Sequence, residues 1–308
     1  MSLTAQLRDP SSPVGAWFRR RLGATTTVAR TANRQLRARS AAPTGRIIDL
    51  EPRTPPVPAL GDVALIGHAV DWLLRLSLVD ERPGPHSAAG LGARRVAGHD
   101  QQGRCLQVFS EASARCDDLA PARQALPAAD WRELCRLCLL LAWLERGYRA
   151  ALAPAVILER VDTARTLDEW MSRLVSPVDL QGLELLGRVA LQDHEDVRYR
   201  RPLIANPTFS LSAALGGADA DLIAGATLLD FKSTATIRIV GNLDLWQLVG
   251  YALADHRDEY AIAEVAISAL RWRGRVTWPL ESLLGQLAGA PLSIADARSE
   301  FATVLQAA

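Results

Sequence analysis

Lysine is almost missing from this chain. Of the 35 Lys and Arg residues, only Lys232 is lysine, so the other 34 are arginine. A solvated surface accepts either cation, so the bias reads as a general replacement of Lys by Arg wherever the two are equivalent. Long apolar runs are missing too. The longest, residues 134–144, is interrupted by Arg136 and is too short to span a bilayer. The opening MSLTAQLRDPSSP has no apolar segment of the kind a secretory signal needs. Together these predict a soluble cytoplasmic chain with no membrane partner. No internal repeat or low-complexity tract occurs, which excludes a solenoid. The four cysteines are Cys105, Cys116, Cys135 and Cys138. The last two lie in a strongly apolar helical pattern, where cysteines spaced by three behave as small core residues.

The chain has 308 residues, of which 49% are hydrophobic and 22% charged, enough for one large domain or two ordinary ones. Net charge is +1 but unevenly spread. Residues 1–50 carry Arg8, Arg19, Arg20, Arg21, Arg30, Arg34, Arg37, Arg39 and Arg46 against Asp9 and Asp49. This segment reads as a basic arm, either a solvated tail or a binder of polyanions. It ends in the Pro-rich linker EPRTPPVPAL, so the arm and linker occupy 1–60. Residues 61–200 are helical in pattern. They comprise 62–80, a Pro/Gly break at 81–92, and helices over 131–152, 154–175 and 177–192, with Pro127, Pro154 and Pro177 at starts or turns. Residues 201–308 change texture. ADLIA and ATLLDFK fit a hairpin turning near Ala224-Gly225, and TIRIV (236–240) fits a further extended piece. Residues 243–257 are helical, 261–272 and RVTW read as strands, and 279–306 as helix. The order is that of an α/β fold with a helical portion before or inserted into the sheet unit.

Asp221 begins the first strand of that hairpin and Asp230 ends the second, so the two face each other across the antiparallel pair. Two carboxylates so close need a cation between them, and oxygen ligands suit Mg²⁺ or Mn²⁺. Lys232, two residues after Asp230, points to the same face. A metal beside an ammonium group is equipment for hydrolysing a phosphodiester. Asp219 lies on the same face and competes with Asp221, which the two following aliphatics favour.

The ordered set Asp221, Asp230-Phe231-Lys232, then Gln247-X-X-X-Tyr251 resembles the PD-(D/E)XK nuclease superfamily, in its RecB-like branch, over about residues 206–278. The resemblance implies a restriction-endonuclease-like core, a mixed β-sheet flanked by helices. It implies a Mg²⁺- or Mn²⁺-dependent deoxyribonuclease with Asp221, Asp230 and the Phe231 carbonyl as metal ligands. Lys232 would handle the water, Gln247 would orient it, and Tyr251 would touch phosphate or pack beside the site. An upstream helical acid is also implied. GHAVDWLLR offers Asp71, with His68 after the Gly, and Glu184 and Glu145 are the other candidates. If GHAVDWLLR is the family's first helix, the segment from about 81 to 177 is an insertion. Some relatives hold an iron–sulfur cluster, but the cysteine spacing here does not fit one, and no cysteine follows Cys138. DNA is the expected substrate, with RNA as the alternative, and a protein partner in phage defence or repair is expected. No sequence-reading module is evident. The rival reading is a catalytically silent nucleic-acid-binding or assembly subunit. RYRRP (198–202) and RWRGR (271–275) could steer phosphates or simply guard strand edges. His194 and His256 read as solvated loop residues, and Trp246 as core.

Overall fold

Serine, threonine and aspartate side chains begin many of the helices by accepting first-turn N–H groups. The computed structural model describes residues 2–38, 56–79, 81–100, 103–119, 126–150, 153–216, 220–236 and 238–307. Ser2 and Ser12 cap α1 (Leu3–Arg8) and α2 (Pro13–Arg21), and α3 (Thr25–Ala38) follows. This segment is therefore not a solvated arm. Leu3, Leu7, Trp17, Phe18 and Leu36 are buried in the same core as the strands. On α3, Val28, Ala29, Ala32 and Leu36 form the buried face, while Arg30, Arg34 and Arg37 are exposed. Residues 39–55, with Arg39, Arg46, Asp49 and most of the linker, lie outside the described residues.

Next comes a run of helices. Asp62 caps α4 (Val63–Leu74), which continues into a π-helical turn at Arg75–Val79. Ser87 caps α5 (Ala88–Ala97), so the Pro/Gly break is shorter than its composition suggests. Then come α6 (Arg104–Leu119), α7 (Ala128–Arg149) and α8 (Ala153–Val161). The single helix expected over 154–175 is two. Thr166 accepts the Glu169 N–H and Glu169 accepts the Thr166 N–H, a capping box that starts α9 (Leu167–Leu174) afresh. Ser176 caps α10 (Pro177–Asp193), with Pro177 in its first turn. α7 packs against α4, α5 and α10. Its crossing with α5 is close: a Cβ on Gly92 would stand 1.7 Å from the Leu144 carbonyl oxygen.

The strands are β1 (Leu203–Ala205), β2 (Leu222–Ala224) and β3 (Thr227–Lys232), then β4 (Glu264–Ala269) and β5 (Gly274–Pro279) after α11 (Asn242–Ala254). They form one mixed sheet in the order β1-β2-β3-β4-β5. β2 and β3 pair antiparallel, Leu222 opposite Leu229, around a turn where Gly225 has φ +60°. β3 and β4 are parallel, so the chain must cross over, and α11 is that crossover. β5 returns antiparallel to β4. α12 (Leu280–Ala288) and α13 (Ile294–Gln306) finish the chain. β1 had no clear sequence signal. The described residues of TIRIV, Thr236 and 238–240, form no strand: Ile239 and Val240 instead donate their N–H groups to Asn33 Oδ1 at 2.7 and 2.9 Å. Asn33 Nδ2 donates to the carbonyls of Ala29 and Val240. Asn33→Ala leaves these buried groups without partners and should cost about 2–4 kcal/mol. Urea unfolding measures it, and a midpoint unchanged from wild type would contradict this role.

Internal contacts divide the chain into two units, Met1–Pro56 with Asp196–Ala308, and Val57–Glu195. The first holds the sheet with α1–α3 and α11–α13, and the second holds α4–α10. Among the described residues no helix is long and apolar enough to cross a membrane.

Candidate active site

The β2–β3 hairpin fixes the two acidic residues. Leu222 pairs with Leu229, so Asp221 and Asp230 are next in register, one step toward the open end. The Asp221 carboxylate accepts the Phe231 N–H at 2.6 Å, which clips the open end shut. Asp230 is buried, flanked by β4 at Ile267. Burial pushes its carboxyl pKa up. The Lys232 ammonium opposes that shift, and the Asp221 carboxylate adds to it. Lys232 Nζ lies 2.9 Å from Asp230 Oδ2 and 3.3 Å from Asp244 Oδ1. Burial alone would lower the Lys232 pKa, but the carboxylates of Asp230 and Asp244 outweigh it and raise it, so the ammonium stays charged.

α11 supplies the opposite side. Lys232 Nζ donates to Gln247 Oε1 at 3.4 Å. Gln247 Nε2 in turn donates to Tyr251 Oη at 2.7 Å and to Thr4 Oγ1 at 3.1 Å. Tyr251 is buried and stacks on Phe209, with ring centroids 6.3 Å apart. Burial, and then the Asp230 carboxylate, raise its hydroxyl pKa. Its place is beside the site, steadying Gln247.

Thus Asp221, Asp230, Phe231, Lys232, Gln247 and Tyr251 come together in the sheet-bearing unit. Two further members, Asp244 and Thr4, have no place in the motif. Asp244 caps α11 through the Gly241 N–H at 2.8 Å and lies one turn before Gln247, a spacing that the sequence does show. Thr4 had no signal, because its segment read as a tail. Asp219 lies outside the described residues.

The upstream acids lie in the helical unit. Asp71 pairs with Arg75, and burial pushes its carboxyl up to about 6. Glu184 lies 3.6 Å from Arg132. Glu145, only 1% exposed, accepts from Trp72 Nε1 at 2.9 Å and from Arg149 Nε at 2.6 Å, with His68 Nδ1 at 3.5 Å. Burial raises its pKa, but His68 and Arg149 outweigh that and hold it down to about 2. A folded pKa below the ordinary 4.5 contributes stability that is present above about pH 4.5 and lost as pH falls toward 2. The charged form is therefore worth about 3 kcal/mol. The stability gap between wild type and Glu145→Gln should shrink by about that amount between about pH 5 and pH 2. Denaturant melts across that range test it, and a gap independent of pH would refute it.

Of the other expectations, those for Arg271, Arg275 and His194 need correction. Arg271 and Arg275 are buried, not phosphate-steering: Arg271 Nε donates to the Ser233 carbonyl at 2.8 Å and Arg275 pairs with Asp196. His194 is buried with Nδ1 2.7 Å from the Ala190 carbonyl, whereas His256 is exposed. Trp246 is core, and its Nε1 donates to the Leu22 carbonyl. All four cysteines are buried in the helical unit, where burial pushes the Cys105 thiol up to about 12.

Among the described residues no group of three or more His, Cys, Asp and Glu is arranged to hold a metal ion. The Asp221–Asp230 pair still fits a hard divalent cation of the kind that takes one or two carboxylates and fills its other positions with water and phosphate. Asp230 Oδ2 is buried and, although ion-paired with Lys232, has no hydrogen bond of good geometry among the described residues. Searches against protein-family models, curated proteins and solved structures found no match.

Proposed function

We propose that this protein is a metal-dependent nuclease that hydrolyses phosphodiester bonds of DNA, with a PD-(D/E)XK-like core. The observation that carries the reading is the convergence of Lys232 with Asp230, Asp244 and Gln247 on one hairpin and its crossover helix. The sheet order supports it, since three antiparallel strands precede a helix and a parallel fourth strand.

Asp221, Asp230 and the Phe231 carbonyl would hold Mg²⁺ or Mn²⁺. When bound, that ion supplies Lewis-acid polarisation of phosphate and a more acidic water. Lys232 presents its ammonium to the phosphate oxygens and balances their developing charge. Gln247, held by Tyr251 and Thr4, fixes where Nζ sits. Asp244 holds the ammonium from the helix side, so the charge has a defined position even when Asp230 is engaged elsewhere.

The test is cleavage of end-labelled single- and double-stranded DNA by purified protein in Mg²⁺ or Mn²⁺, abolished by chelator. Intact DNA of both kinds in both metals would sink the reading.

A further inference from the structure

A second feature of the sheet-bearing unit lies a few residues from the candidate site. One wall of a cavity of about 340 Å³ is a single face of α3. Thr26, Arg30, Asn33 and Arg37 follow at spacings of four, three and four, which stacks them on one side of a helix. The facing wall is the segment that enters α11, with Arg238, Val240 and Asn242.

Asn33 ties the two walls and is used up in doing so. Its Oδ1 accepts two N–H groups and its Nδ2 donates to two carbonyls, which is all the amide can do. The chemistry of the cavity therefore rests on its arginines. Arg30 and Arg238 make no side-chain hydrogen bond or ion pair among the described residues. Among the described residues Arg37 commits only Nε, to the Asn33 carbonyl at 2.8 Å. Among the described residues no Asp or Glu lines the space. Elsewhere this chain pairs its arginines readily, as in Arg21–Glu300 and Arg275–Asp196. Guanidiniums gathered around a cavity without an acid repel one another, and an anion relieves that repulsion.

The planar guanidinium fork matches phosphate oxygens. The cavity is larger than a single phosphate needs, and Thr26, Ala29 and Val240 give it an uncharged lining that suits an attached sugar. Arg30, Arg37 and Arg238 are all exposed at its edge, so a strand can enter and leave. The cavity and the candidate site share the start of α11: Asn242 lines the one, and Asp244 pairs with Lys232 in the other.

We propose that this cavity seats a backbone phosphate of the DNA strand that Lys232 addresses, and so sets where along the strand the scissile bond falls. This rests on the nuclease reading for the identity of the strand.

The experiment compares Arg30→Gln/Arg238→Gln with wild type and with Arg20→Gln/Arg257→Gln, a pair at exposed positions that removes the same charge. Binding of a short fluorescein-labelled DNA is followed by anisotropy in chelator, over a series of salt concentrations. The cavity variant should bind about 10-fold more weakly, and its slope of log affinity against log salt should be shallower by about 1–2. The control pair should stay within about 3-fold of wild type. Equal weakening by both pairs would overturn the proposal, because only net charge would then matter. A second arm measures melting of the same proteins with inorganic phosphate. If phosphate stabilises wild type but not the cavity variant while DNA affinity is unchanged, the cavity takes a free anion and the strand proposal fails. Because chelator removes cleavage from the readout, an inactive protein that loses DNA through the cavity variant would sink the nuclease reading and leave the cavity standing.

Discussion

Lys232→Met is expected to lower DNA cleavage by about 10³-fold, while the protein stays folded and keeps most of its DNA affinity. Methionine matches the length of the aliphatic stem and removes only the charge, so packing against α11 survives. Asp230 is then left with less opposing positive charge, and its carboxyl becomes easier to protonate. Lys232→Arg is the sharper variant. Asp230, Asp244 and Gln247 all hold Nζ within 3.4 Å, a compact arrangement for a point charge. A planar guanidinium cannot occupy it without displacing one of them, so a loss of at least about 100-fold is expected despite the retained charge. Single-turnover cleavage with matched circular dichroism spectra decides it. An Arg variant as active as wild type would show that any cation serves, and the site would not work as described. The outcome also explains the composition. A chain that uses arginine at 34 of its 35 basic positions keeps its one lysine where the larger cation does not fit.

Gly92→Ala is the second large effect, and it falls in the helical unit. A Cβ there meets the Leu144 carbonyl oxygen at 1.7 Å, and the obstacle is helix backbone that cannot rotate aside. Gly147 on α7 faces the same crossing, with the Val96 side chain 2.9 Å from where its Cβ would be. α5 and α7 must therefore move apart and open the apolar contacts around them. The methyl group restores about 1 kcal/mol of helix propensity. The net loss is still expected to be about 3 kcal/mol, or about 10 °C in Tm. Gly98→Ala in the same unit is the control, since it is exposed with φ −61° and its nearest contact lies at 3.4 Å. It should shift Tm by no more than about 2 °C. A Gly92→Ala protein that melts with its control would mean that the crossing is looser than described.

The legible part of this molecule was local. The hairpin could be read because short apolar runs, a glycine at the turn and two acids at matched ends all act within about a dozen residues. Gln247 and Tyr251 were named only through the family resemblance, and α11 brings them together because a helix fixes the direction of residues four apart. What failed to show depends on distant chain. Asp244 looks like an ordinary helix cap until Lys232 is placed against it. The first 38 residues looked like a tail because arginine density hid a helical period, and only the core they enter explains Leu3, Phe18 and Leu36. Arg271 and Arg275 looked like surface charges. Their burial is tolerable because Ser233 and Asp196, far away in sequence, take their hydrogen bonds.

The sheet-bearing unit is built from both sides of an intervening one, and this has a consequence for how the protein is made. Thr4 and Gln247 are 243 residues apart, Leu22 and Trp246 are 224, and Arg21 and Glu300 are 279. As the chain leaves the ribosome, α1–α3 emerge before the strands they cover. The helical unit Val57–Glu195 carries its own core and can fold while they wait. Its folding removes most of the freedom of the loop that must close, so the late pairing of the two ends costs far less entropy than its sequence separation suggests. Phe301, which packs against Trp17 and Phe18, arrives after every strand of the sheet. The support behind Gln247 and Lys232 is therefore unfinished until synthesis has passed that point.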